Sequence, residues 1–169
     1  MIRDEIQHVA TGMGVTYEGI FNYSDLIVFI ESFFKKRGYT KHVLGHNEKV
    51  TKKGKEINLR LRPYREKKGN KMEVQVWLNI SNMVDIKKKV DGINLNLNKG
   101  KVKITIDCFV QTDVRGKWEA RAEYTFIRTI FDKFLFRSKG KDYEGMVKAD
   151  AVDLKNELKS LLNLNKFLF

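Results

Sequence analysis

The chain has one cysteine, one proline and no apolar run approaching the roughly 20 residues that a membrane-spanning helix needs. The lone Cys108 excludes an intramolecular disulfide. The shortage of proline and the brevity of the polar interruptions argue against a long linker or a disordered region. The N-terminal stretch MIRDEIQHVATGMGV places acids and His8 where a signal peptide would carry its apolar core. Together with the free thiol, this predicts a cytoplasmic protein. Acidic residues are also scarce in one place: between Lys35 and Lys71 there are three (Glu48, Glu56, Glu66) against fourteen Lys or Arg. That stretch carries a net +11 of the whole chain's +12. A charge so unevenly placed makes a local field that attracts polyanions or an anionic membrane surface.

The 169 residues, 42% hydrophobic and 11% aromatic, suit one domain, 1–169, able to bury a core without disulfides or metal. Val15 to Phe21 has strand composition. Ser24 and Asp25 then offer an N-cap and a first-turn acid for a helix carrying Leu26, Ile27, Phe29, Ile30, Phe33 and Phe34 at helical spacing, closed by Lys35, Lys36, Arg37 and Gly38. The middle of the chain alternates with period two. Tyr39 to Val50 opens it. Ile57, Leu59 and Leu61 follow, and Pro63 ends or bends that strand. Next come Met72 to Ile80, then Val84, Ile86 and Val90 around a lysine run, then Ile93, Leu95 and Leu97, and last Val102 to Val110. Turns are expected at Lys53-Gly54, Gly69-Asn70, Asp91-Gly92 and Lys99-Gly100. From Glu119 the period lengthens: Tyr124, Ile127, Phe131, Phe134 and Leu135 suit a helix ending near Gly140, with Trp118 at its entrance. Tyr143, Val147, Ala151, Leu154, Leu158 and Leu161 mark a long final helix. The expected architecture is α+β: an antiparallel meander of five or six strands, with an N-terminal helix and one or two C-terminal helices on one face.

This order of elements resembles the helix-grip arrangement of START and Bet v 1-like proteins, in which a curved antiparallel sheet wraps a long C-terminal helix around a cavity. It departs from them in having one clear helix after the first strand where that family has two short ones. The segments FNYSDLIVFIESFFKKRGY and LNKGKVKITI, with Lys117-Trp118, are also similar to small uncharacterised archaeal proteins, a likeness that implies no activity.

Catalytic and metal chemistry find little to work with. His42 and His46 are four apart, a zinc spacing on a helix, but Gly45 and the β-favouring neighbours argue for a strand, and no third Cys or His lies nearby. Cys108 falls on the inward phase of its strand, and Asp107 points to the opposite face, so the thiol has no base beside it. The glycines of KKGK, EKKGNK and NKGK match no phosphate loop. Asp150 with Asp153, and Asp4 with Glu5, lie in polar contexts and read as solvated helix or terminal residues, with no sign in the sequence of the burial or close partner that acid–base work needs. The expectation is no catalytic residue, no metal and no cofactor.

The basic stretch is the one outward signal. Arg60 and Arg62 share the outward phase of a strand; Lys52, Lys53 and Lys55 crowd the turn before it; Arg65, Lys67, Lys68 and Lys71 crowd the turn after it. If these nine gather on one face they can grip the backbone of RNA or DNA, with Tyr64 and Trp77 available to stack bases. Lys-rich hairpins also blunt sheet edges against aggregation, a role that needs no ligand. Two other partners are open. An apolar small molecule would sit between the sheet and the final helix, among Phe126, Phe131, Phe134 and Leu158. An anionic membrane surface would take the basic patch together with the Phe167-Leu168-Phe169 tail, which serves an oligomer interface equally well.

Overall fold

A computed structural model describes residues 6–90, 92–111 and 137–168. They form an α+β fold: β1 (Ile6–Phe21), α1 (Tyr23–Lys36), β2 (Val43–Thr51), β3 (Gly54–Leu61), β4 (Tyr64–Lys67), β5 (Asn70–Val90), β6 (Ile93–Gln111) and α2 (Arg137–Leu168). The six strands make one antiparallel sheet in the order β1-β6-β5-β3-β2, with β4 also paired to β5. The meander is therefore interrupted once, because β1 returns to lie beside the last strand rather than beside β2.

Alternation along the strands sorts their side chains onto two faces. The inner face takes Ile57, Leu59 and Leu61 from β3, Met72 to Ile80 in steps of two from β5, and Val102 to Val110 in steps of two from β6, all buried. Against it lie both helices. α1 turns in Leu26, Ile30, Phe33 and Phe34, and α2 turns in Val147, Ala151, Leu154, Leu158 and Leu162, so that sheet and helices share a single core. Cys108 is part of that core; burial pushes its thiol pKa up, which disfavours the nucleophilic thiolate.

Four details depart from the sequence expectation. The N-cap of α1 is Asn22 rather than Ser24: its Oδ1 accepts the Asp25 N–H at 3.2 Å, so the helix starts one residue before that serine. β1 begins at Ile6, and register shifts at His8/Ala10 and Ala10/Met13 break the alternation that would have revealed its first half. Lys99-Gly100 is no turn. Both residues lie inside β6, and the two short strands expected on either side are one, as are those on either side of Asn82 in β5. Glycine is needed at 100 because a Cβ there would stand 3.0 Å from the Ser81 carbonyl oxygen, where β5 bulges between Ser81 and Val84. Gly140, expected to end a helix, lies inside α2. The helix expected over Tyr124 to Leu135, together with Trp118 and Phe126, falls outside the described residues.

Pro63 divides β3 from β4 as anticipated. Its missing N–H interrupts the ladder, but its carbonyl still accepts the Val74 N–H at 3.1 Å, and β4 resumes along the β5 edge that β3 has left.

The buried stripe of α2 makes the core testable. Leu158→Ala is expected to cost about 2–5 kcal/mol by opening a cavity under the sheet, and Asn22→Ala about 1 kcal/mol by removing a cap, both read from urea unfolding midpoints.

Candidate functional site

The nine predicted cations do not share one surface. Lys52 and Lys53 form the β2–β3 turn, and Lys67 and Lys68 lie at the β4–β5 turn. Lys55 pairs with Met83 of β5 and Lys67 with Asn70, thirteen residues away along the same strand. At about 3.3 Å per residue, the two turns stand roughly 40 Å apart at opposite ends of the sheet.

Four of the nine are engaged by carboxylates. Arg62 and Lys71 converge on Glu73, at 2.6 Å each, and the Arg62 Nε donates a further bond at 2.8 Å. Glu73 is only 5% exposed, so its charge is kept by these two partners rather than by water. Arg65 turns to the inner face: it donates to the Arg37 carbonyl at 2.9 Å and to Asp150 at 3.3 Å, with its guanidinium over Tyr39. Arg37 joins the same cluster, reaching Asp150, Asp153 and Glu157 at 3.3–3.5 Å and thereby tying the end of α1 to α2. Lys55 lies 3.8 Å from both Glu48 and Asp85. These cations fasten the fold.

Arg60 is different. It stands exposed on the outer face of β3, its guanidinium 4.0 Å from the ring centroid of Trp77 on β5. Cross-strand register places this pair in a transverse row, Gly14, Thr105, Trp77, Arg60 and Gly45, that runs over five strands. The next row on the same face is Thr16, Lys103, Asn79, Asn58 and Asn47. Beyond it Lys101 lies between Glu18 and Ser81, Lys49 faces Glu56, and Lys99 continues the phase of β6. With neighbouring strands about 4.8 Å apart and same-face residues about 6.7 Å apart along a strand, this is an open polar surface roughly 19 Å across. Its cations are Lys49, Arg60, Lys99, Lys101 and Lys103, with Lys52 and Lys53 at the adjoining turn. Among the described residues none of the seven closes an ion pair, and Glu18 and Glu56 are the only carboxylates in these rows.

Three of those lysines were legible but unread. In Lys99-Gly100-Lys101-Val102-Lys103-Ile104 every lysine takes the phase opposite to the buried valine and isoleucine, and the assumption of a turn at Gly100 hid this. Alternation alone puts Lys71 and Glu73, two apart on β5, on one face, but no sequence signal adds Arg62, which the pairing of β3 with β5 brings to the same carboxylate.

The remaining candidates are dispersed. His42 meets Tyr64 edge-on at 6.5 Å, and His46 stands exposed on β2. Phe167 is 85% exposed near the end of α2, after the buried stripe has stopped at Leu162. No helix among the described residues is long and apolar enough to cross a membrane. A cleft of about 210 Å³ opens beside the end of α1, between Phe34, Tyr39, Leu61 and Pro63, smaller than the 300–1,000 Å³ usual for small-molecule sites. Comparison with known protein families, with curated proteins and with solved structures finds no match.

The inner polar cluster has a pH signature. Burial first, and then the hydrogen bond donated to Asp150 at 2.8 Å, hold the Tyr39 hydroxyl pKa well above its ordinary value. The folded protein keeps a proton that the unfolded chain releases, so this stabilisation is complete below about pH 10 and is lost as the pH rises beyond it. Tyr39→Phe is expected to lower stability near neutrality by about 1 kcal/mol and to flatten the alkaline fall, as read from urea midpoints at pH 7 and about 10.5. On the outer face, Glu73→Ala should cost roughly 1.5–3 kcal/mol, since it strands two partly buried cations.

Proposed function

We propose that the chain is a non-catalytic module that binds the backbone of RNA or DNA on the outer face of its sheet. The observation that carries this reading is the division of the cations: those at Arg37, Lys55, Arg62, Arg65 and Lys71 are engaged by carboxylates, while Lys49, Arg60, Lys99, Lys101 and Lys103 stand together with no such partner among the described residues. Unpaired cations on one open face attract a polyanion without losing stabilising contacts on binding. Lys52 and Lys53 extend the same surface, whereas Lys67 and Lys68 lie too far along the sheet to share a short ligand with it. In this reading the inner side is purely structural. The sheet order, with the first strand beside the last and a long C-terminal helix beneath, supports the helix-grip likeness, and the packed side chains of α2 support a core rather than a carrier cavity.

The test is fluorescence anisotropy with labelled homopolymeric single strands across a range of salt. Log K should fall linearly with log salt, by about 0.7 for each phosphate neutralised. Lys101→Glu combined with Lys103→Glu should weaken binding at least about tenfold and make the slope shallower, while Lys67→Glu with Lys68→Glu should change affinity by less than about twofold. Salt-independent binding, or equal losses from the two pairs, would remove the outer face as the site.

A further inference from the structure

Resting on that reading, we infer that the outer face takes single-stranded rather than duplex nucleic acid, with one base stacked on the Arg60–Trp77 pair. Arg60 lies over Trp77 at 4.0 Å, so one plane of the guanidinium is against the indole; the residue is exposed, and its other plane is left for a ligand. A guanidinium held over an aromatic ring is a platform of the kind on which unstacked bases settle.

Three further observations point the same way. The Trp77 Nε1–H is buried and has no hydrogen-bond partner among the described residues, so tryptophan is a poor choice here for stability alone, where a phenylalanine would leave no orphaned donor. Gly14 and Gly45 close the two ends of the row. A Cβ added at either would meet nothing within 4 Å, and neither backbone has the positive φ that favours glycine. Neither packing nor conformation demands glycine there, yet its absence of side chain keeps the row through Thr105, Trp77 and Arg60 free of walls, as a flat ligand requires. In the adjoining row Asn79, Asn58 and Asn47 present amides that donate and accept, suited to the edges of a splayed base.

A duplex keeps its base faces inside the stack, where the Arg60 plane cannot reach them; only an unpaired strand can offer a base to it.

Trp118 is the only other tryptophan, so a Trp118→Phe protein makes intrinsic fluorescence a reporter of Trp77. It would be titrated with a thymidine 12-mer, an abasic strand of equal length and charge, and a 12-base-pair hairpin duplex. The thymidine strand is expected to quench the emission and to bind at least about tenfold more tightly than the abasic strand, with the duplex giving little quenching. Arg60→Lys, which keeps the charge but loses the plane, should remove most of that tenfold preference. Gly45→Ile should do the same while leaving the thermal midpoint unchanged or higher. Equal affinity for the thymidine and abasic strands, or for single strand and duplex without quenching, overturns the stacking inference and leaves backbone binding standing. Absence of binding to all three overturns both.

Discussion

The pairing of β5 with β6 is the constraint on which the rest of the structure rests. The two strands run antiparallel from Lys71 opposite Gln111 to Val90 opposite Ile93, and β5 also receives β3 and β4 while β6 receives β1. Every other strand but β2 is docked directly on this pair. Because side chains alternate across a sheet, its register decides at once which residues meet the helices and which take the outer face; a slip of one residue would turn Met72, Val74 and Val76 to the outer face and set Glu73 and Gln75, now held on that face by polar neighbours, against the apolar helices. The apolar stripe of α2 secures that choice from below.

On this frame the protein's charge is divided by depth. Arginines whose positions carry them to the seams between elements find carboxylates from elsewhere in the chain: Arg37 and Arg65 meet the acids of α2, and Arg62 meets Glu73. Such partly buried pairs are weak evidence of net stabilisation but strong determinants of geometry, since either partner alone would be costly. Lysines on the outward phase of β6 close no ion pair among the described residues, although Glu18 stands opposite Lys101. A run of fourteen bases in sequence thus becomes two populations in space, one that joins elements and one that faces outward.

Much of the fold was legible. The helical spacing of Leu26, Ile30, Phe33 and Phe34, the alternation of Ile57 to Leu61 and of Met72 to Ile80, and the stripe from Val147 to Leu158 all describe surfaces that a core must cover, and periodicity reports such surfaces directly. What escaped was whatever depends on contact between distant segments. The place of β1 beside β6 leaves no local trace. Gly100 looked like a turn because a glycine required by the approach of another backbone is indistinguishable, in sequence, from one required by a reversal of the chain. The basic stretch failed for a related reason: closeness in sequence along antiparallel strands becomes distance in space at alternate turns, so the lysines flanking β3 and β4 were carried to opposite ends. Arg60 and Arg62 kept the outward place that alternation assigned, Arg60 over Trp77 across the ladder and Arg62 on Glu73.

The bulge in β5 is pinched from both sides. A Cβ on Gly54, at the start of β3, would lie 2.7 Å from the Met83 carbonyl oxygen, and one on Gly100 of β6 would lie 3.1 Å from the Met83 Cα, while Asn82 between them holds a positive φ of 54°. Main chain touches main chain at this point with no side chain interposed, so the heading of the hairpin that continues to Gly92 is set at its root. Just beyond the root, Asn98 accepts the Tyr23 N–H at 3.0 Å and donates to Asp85, which ties the base of the arm to the start of α1 as well.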